Sequence, residues 1–210
     1  MKKLFYVPVI HTEADMGSVA EPLKREYIQR YGPKKWQEHI NAIHSMWQGI
    51  RQKIFALELD YKNTKVYQDG LPVCNKELAI ANDLAEAGNE NYKIISELLQ
   101  RGAKLLGTED PTFLLEEYNY IKDVAQIDNL EEKERAIKEY GKKAKDILEK
   151  RDQFIADRIT RTLMEGETGI LFIGMKHQVD EKLSGEIKVS YLIYRLPFKA
   201  NYDISRKLLV

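Results

Sequence analysis

Short apolar runs, closed by turn-forming residues and separated by long helix-patterned stretches, constrain this chain more than any other feature. L-F-Y-V-P-V-I near the start runs into His11, and G-I-L-F-I-G-M-K near the end runs into His177. Runs this short, apolar throughout and set among helices, predict buried parallel strands. Ligands of an open α/β sheet bind beyond the carboxyl ends of its strands. Both imidazoles are therefore expected at the edge where such folds do chemistry.

The remaining punctuation fills in an alternating order of elements. The first strand is expected at 4–11, followed by a turn at Asp15-Met16-Gly17 and a helix opened by a Ser18–Glu21 capping box. Tyr31-Gly32-Pro33 stops that helix. Pro33 opens a longer one to about Leu59, with Trp36, Ile40, Ile43, Trp47, Ile50 and Ile54 on one face. T-K-V-Y-Q-D-G reads as the second strand, stopped by Asp69-Gly70 and Pro72. Helices are expected at 75–87 and 91–101, broken at Gly88-Asn89, before a third strand A-K-L-L-G. A helix at 112–125 precedes an almost continuous helical stretch at 130–165, with Gly141 a candidate bend; strands at 169–174 and 187–194 close the series. The expected fold is α/β: a mostly parallel central sheet, helices on both faces, and a long helical arm before the last two strands. A chain of 210 residues can bury one sizeable core, so 1–210 is expected to be a single α/β domain with 130–165 a long helix or helical hairpin. That arm is expected to serve as a lid or as a contact in a homo-oligomer.

Composition excludes several classes of function. Lys plus Arg number 33 and Asp plus Glu 33, so no global field favours nucleic acid or an anionic membrane. No apolar run approaches the ~20 residues needed to cross a bilayer. Lys2 and Lys3 before an apolar run imitate a secretion signal, but the run is short, contains Pro8 and lacks a small-residue cleavage site. The single cysteine, Cys74, permits neither an intramolecular disulfide nor a multi-cysteine zinc site and suits a reducing compartment. Cytoplasmic residence is the expectation. Phosphate-loop, dinucleotide-glycine and G-x-S-x-G patterns are absent.

Four side chains are expected to converge at the strand ends: His11, Glu109 after the third strand, Arg151 in the long helix, and His177. Two imidazoles and a carboxylate suit a divalent metal with an open position for water. They suit equally a metal-free acid–base site in which the carboxylate orients an imidazole and the arginine stabilises negative charge. Asp15 and Glu13 lie near His11 and offer a further ligand or a hydrogen-bond acceptor. His39 and His44 stand five apart in a helix, on different faces, and read as ordinary boundary residues.

These residues carry a resemblance. Gly174-Met175-Lys176-His177 is a complete G-x-x-H, R-D-Q-F-I-A-D-R-I-T-R-T-L opens on Arg151, and Gly107-Thr108-Glu109 supplies a strand-end glutamate. In chain order, glutamate motif, arginine-led helix and final G-x-x-H, they resemble the TraB/TIKI branch of the superfamily that includes erythromycin esterases and ChaN-like proteins. His11 matches the first G-x-x-H histidine, with Pro8 standing where that family has glycine. The resemblance implies an α/β core, a site of His11, Glu109, Arg151 and His177, and hydrolysis of an amide or ester bond. Since relatives include metal-dependent proteases and esterases, it also implies a divalent metal held among His11, His177, Glu109 and Asp15. The partner expected is a small-molecule or peptide substrate. The alternative is a non-enzymatic ligand- or metal-binding or signalling protein that uses the arm at 130–165 for contact. A coiled-coil seam there would need sustained apolar a and d positions. Ile137, Tyr140, Ala144, Ile147, Phe154 and Ile159 form a broken one.

Overall fold

A computed structural model of the chain describes residues 1–10, 20–127 and 129–194. Five strands, β1 (Lys2–Val9), β2 (Thr64–Pro72), β3 (Lys104–Glu109), β4 (Thr168–Gly174) and β5 (Ile187–Tyr191), form one sheet in the order β3-β2-β4-β1-β5. Every pairing is parallel. Among them run the helices α1 (Ala20–Tyr31), α2 (Pro33–Phe55), α3 (Glu77–Glu86), α4 (Glu90–Gln100), α5 (Pro111–Ala125) and α6 (Leu130–Thr162).

Strand alternation sorts the core into two layers. Val7, Val9, Val66, Ile170 and Phe172 point to one face, against Ile43, Met46, Trp47, Ile50 and Ile54 of α2 and Ile94, Ile95 and Leu98 of α4. Leu4, Tyr6, Tyr67, Leu171 and Ile173 point to the other, against Ile155, Ala156 and Ile159 of α6. Burial on both faces explains why β4 reads as an unbroken apolar run rather than an alternating one. Crossovers towards β3 use one face and the crossover back to β4 uses the opposite one, as a constant right-handed connection requires. Adjacent strands therefore send their chain to opposite faces. That divergence opens the carboxyl edge.

Local signals account for most element boundaries. Gly88 takes φ 96°, open to glycine at no steric cost, and Asn89 caps α4 by accepting from the main-chain nitrogens of Asn91 and Tyr92. Asp110 caps α5, accepting from the Thr112 main chain at 2.8 Å, with Pro111 at the first helical position. Pro8 is tolerated inside a strand for a definite reason. Tyr6 accepts from Leu192, so its main-chain groups face β5. Pro8, two residues on, faces the same way, beyond the last β5 pair at Tyr6–Tyr191, where no ladder donor is needed.

Several expected boundaries shift. The helix from Pro33 ends at Phe55 rather than Leu59, because Leu57 and Leu59 turn back to pack against the core. The third strand continues through Thr108 and Glu109, whose side chains are fully buried. Of the two forms expected for 130–165, the long helix is the one observed: it runs unbroken through Gly141, and α5 packs against it. The Ser18 cap lies outside the described residues. Among those described, no helix is long and apolar enough to cross a membrane.

Candidate functional site at the carboxyl edge

Three strand ends and one helix bring a buried polar cluster together. Asp69 follows Gln68 at the end of β2, Glu109 ends β3, and His177 lies three residues beyond Gly174 at the end of β4. Arg151 and Asp152 come from α6 one turn ahead of Ile155 and Ala156. The i, i+4 spacing that lays the apolar residues on the sheet carries these two charges onto its edge. Asp69, Glu109, Arg151 and Asp152 are only 3%, 0%, 7% and 2% exposed. Charges this deep persist only when paired.

The pairing is specific. Arg151 grips Glu109 in a two-pronged fork, Nε to Oε2 at 2.8 Å and Nη2 to Oε1 at 2.6 Å, while Nη1 donates to Glu117 of α5 at 2.5 Å. Glu109 Oε1 also accepts from the Gly70 main chain at 2.9 Å. Burial disfavours a charged guanidinium, but the hydrogen bonds and charge of Glu109, then the charges of Glu117 and Asp69, outweigh it. Arg151 is held above its ordinary value.

His177 lies between two carboxylates. Its Nδ1 is 2.5 Å from Asp152 Oδ1, and its Nε2 faces Asp69 Oδ2 at 3.7 Å. A carboxylate can only accept, so Nδ1 carries the proton and Nε2 is left as the basic nitrogen. Asp152 Oδ2 accepts from the Gln178 main chain at 2.8 Å, which fixes the carboxylate as well as the ring. Asp69 accepts from Gly174 N and from Gln68 Nε2, each at 2.7 Å, and Gln68 in turn accepts from Asn91. Tyr6 sends its hydroxyl to the His177 carbonyl at 3.4 Å; burial, and then Asp180 and Asp152, raise its pKa.

Gly107 sets the depth of this edge. A Cβ there would lie 2.6 Å from the Pro72 carbonyl and 2.8 Å from Glu77 Oε1. Only glycine therefore lets β3 approach the loop after β2. Thr108 Oγ1 bonds the Gln68 carbonyl and holds the irregular end of β2 that presents Asp69 and Gly70.

Of the four expected residues, Glu109 and Arg151 meet directly, and His177 joins them through Asp69 and Asp152. His11, Glu13 and Asp15 lie outside the described residues. Both oxygens of Glu109, expected as a ligand or base, are engaged by Arg151. Glu109 acts as the partner that orients the guanidinium. For a divalent metal, His177 Nε2 and Asp69 Oδ2 fit as two donors. Among the described residues no group of three His, Cys, Asp or Glu could hold an ion. His44 pairs with Gln48 on the surface, and half-buried His39, with its pKa lowered by burial, stacks on Tyr27. Cys74 is half-buried in the loop after β2.

Asp69 and Asp152 are the residues that reading the sequence missed. Asp69 belongs to a D-G pair that reads as a turn. Asp152 had a usable signal: it stands four residues before Ala156 on the buried stripe of α6. Comparison with family models, curated proteins and solved structures finds no match to this chain.

Proposed function

We propose that the protein hydrolyses an amide or ester bond, with His177 as the proton-transferring group. The observation that carries this reading is the buried Asp152–His177 pair at the carboxyl edge, with Nε2 turned away from Asp152. In this scheme Asp152 keeps the proton on Nδ1. Nε2 accepts a proton from water as the oxygen attacks the substrate carbonyl carbon. The same proton passes to the departing oxygen or nitrogen when the C–O or C–N bond breaks. Asp69, beside Nε2, favours the transient imidazolium, and Arg151, steadied by Glu109, offers positive charge to the developing oxyanion. The resemblance of G-M-K-H, G-T-E and the Arg151 helix to the TraB/TIKI branch supports the same class of reaction.

A divalent metal would supply Lewis-acid polarisation and a more acidic water. His177 and Asp69 are the described residues to hold it, with His11 and Asp15 as the further candidates. Buried charge favours a cation here: the buried carboxylates Asp69, Glu109 and Asp152 outnumber the buried guanidinium of Arg151.

The test is a panel of aryl esters and peptide amides with wild type and His177→Ala. The variant is expected to keep its circular dichroism and lose on the order of 10²–10⁴ in kcat/KM, the usual worth of a general base. Full activity in a folded His177→Ala protein rejects the proposal. Elemental analysis of wild type beside His11→Ala/His177→Ala separates the two versions: stoichiometric metal, lost in the variant, selects the metal-assisted one.

Exposed Leu115 and Tyr118 on α5 favour a second reading, contact with a second copy through the α5–α6 hairpin. Dimerisation that disappears when the hairpin is deleted, without any hydrolysis, would select it.

A further inference from the structure

Glu117 is the less firmly held of the two carboxylates on Arg151. Glu109 is fully buried and takes two of the guanidinium's N–H groups, whereas the Glu117 side chain is 29% exposed and takes only Nη1. Two other groups converge on the same carboxylate. The Tyr140 hydroxyl of α6, a buried side chain, and Lys176, in the loop beside His177, both lie within its electrostatic reach. One cation thus grips this partly exposed carboxylate directly, and a hydroxyl and a second cation act on it electrostatically. They come from elements other than the helix that carries it.

That helix is weakly held. No described side chain of α5 is buried: Phe113, Leu114, Ile121 and Val124 are half-covered, and Leu115 is 59% exposed. Segments with little buried apolar surface open at low free-energy cost. A helix that can leave, carrying a carboxylate that returns readily to water, is suited to exchange that carboxylate for one from outside.

We propose that Arg151 Nη1, the Tyr140 hydroxyl and Lys176 form a carboxylate-binding subsite, that Glu117 occupies it as an internal stand-in, and that a carboxylate-bearing ligand displaces Glu117 and moves α5. The exchange leaves the charge around Arg151 unchanged, so an anionic ligand can make it and a neutral one cannot. The inference rests on the hydrolytic reading only for its consequence, that the substrate carries a carboxylate near the scissile bond. The subsite itself is tested by binding.

The probe is sodium acetate, titrated by calorimetry against sodium chloride at matched ionic strength. Removing the internal competitor in Glu117→Ala is expected to tighten acetate binding at least ten-fold over wild type. Adding Lys176→Ala is expected to weaken it several-fold again. Should Glu117→Ala not fold, Glu117→Gln, which removes the charge and keeps the volume, is read by the same criterion. Equal acetate affinity in wild type and a folded Glu117 variant overturns the proposal, as does an equal response to chloride. If acetate binding behaves as expected while His177→Ala retains hydrolysis, only the catalytic reading falls. If hydrolysis depends on His177 and acetate binding fails, only the subsite falls.

Discussion

The two halves of α6 look alike as sequence and behave as different materials. Both are rich in charge and both are continuous helix. Before Arg151, a stretch of roughly 30 Å, at a rise of about 1.5 Å per residue, packs on α5. There only Tyr140 and Ile147 are buried among the described side chains. From Arg151 to Leu163 the chain lies on the sheet and buries Arg151, Asp152, Ile155, Ala156, Ile159 and Leu163. The same charged residue types that stand in water along the first half are paired and dry in the second. Helical propensity is common to both halves, so the difference comes from what each half meets. The first meets a single marginal helix, and the second a fully covered sheet whose strand ends carry carboxylates.

This contrast makes graded predictions. Arg151→Met should be the most damaging, because it strands Glu109 in the interior without its counter-charge. A loss of about 3–5 kcal/mol in denaturant unfolding is expected, with most of it recovered in Arg151→Met/Glu109→Leu. A loss near zero would show that water reaches the pair and that the inner half is no drier than the outer. Next comes Ile155→Ala, which opens a cavity between α6 and β4 and is expected to cost about 2–5 kcal/mol. Ile137→Ala, half-buried on the outer half, should cost clearly less by the same measurement; equal losses would abolish the distinction. Asp146→Ala, which removes an i, i+4 partner of Lys150 on the solvated side, should leave the melting temperature unchanged within error.

The smallest effect concerns acid. Glu97 is held below the ordinary carboxylate value chiefly by its hydrogen bonds from Arg51, at 2.8 Å and 2.7 Å. A depressed folded pKa means that the stabilisation is complete above the unfolded value, roughly 4.3, and is lost as pH falls through the folded one. Arg51→Ala should therefore lower stability slightly near neutrality, flatten the profile below that pH, and converge on wild type in stronger acid. Unlike the Arg151–Glu109 fork, this pair is exposed, and added salt should erase its contribution.

Much of the edge was legible because periodicity carries direction. The unbroken apolar run of β4 and the 3.6-residue stripe of α6 place His177 and Arg151 at the edge without knowledge of any partner. The strand-end position of Glu109 follows in the same way. Asp69 and Glu117 were not legible as site residues, since an acidic residue in a turn or on a charged helix is ordinarily solvated, and Asp152 was marked only by its place on the buried stripe of α6. Each becomes distinctive only when a donor from a distant segment is placed against it: His177 for Asp152 and Asp69, Arg151 for Glu117. The anchoring of Arg151 by Glu109 emerges in the same way.

Apolar spacing and turn chemistry were thus sufficient to specify an α/β sheet of parallel strands and the edge that bears its polar residues. Both act over a few neighbouring residues and survive in the linear order. Which charge is dry, which nitrogen of His177 is basic and which carboxylate is displaceable depend on burial and on partners tens of residues away. Desolvation and pairing are properties of the folded surroundings, and they arise only when β2, β3, β4 and α6 meet.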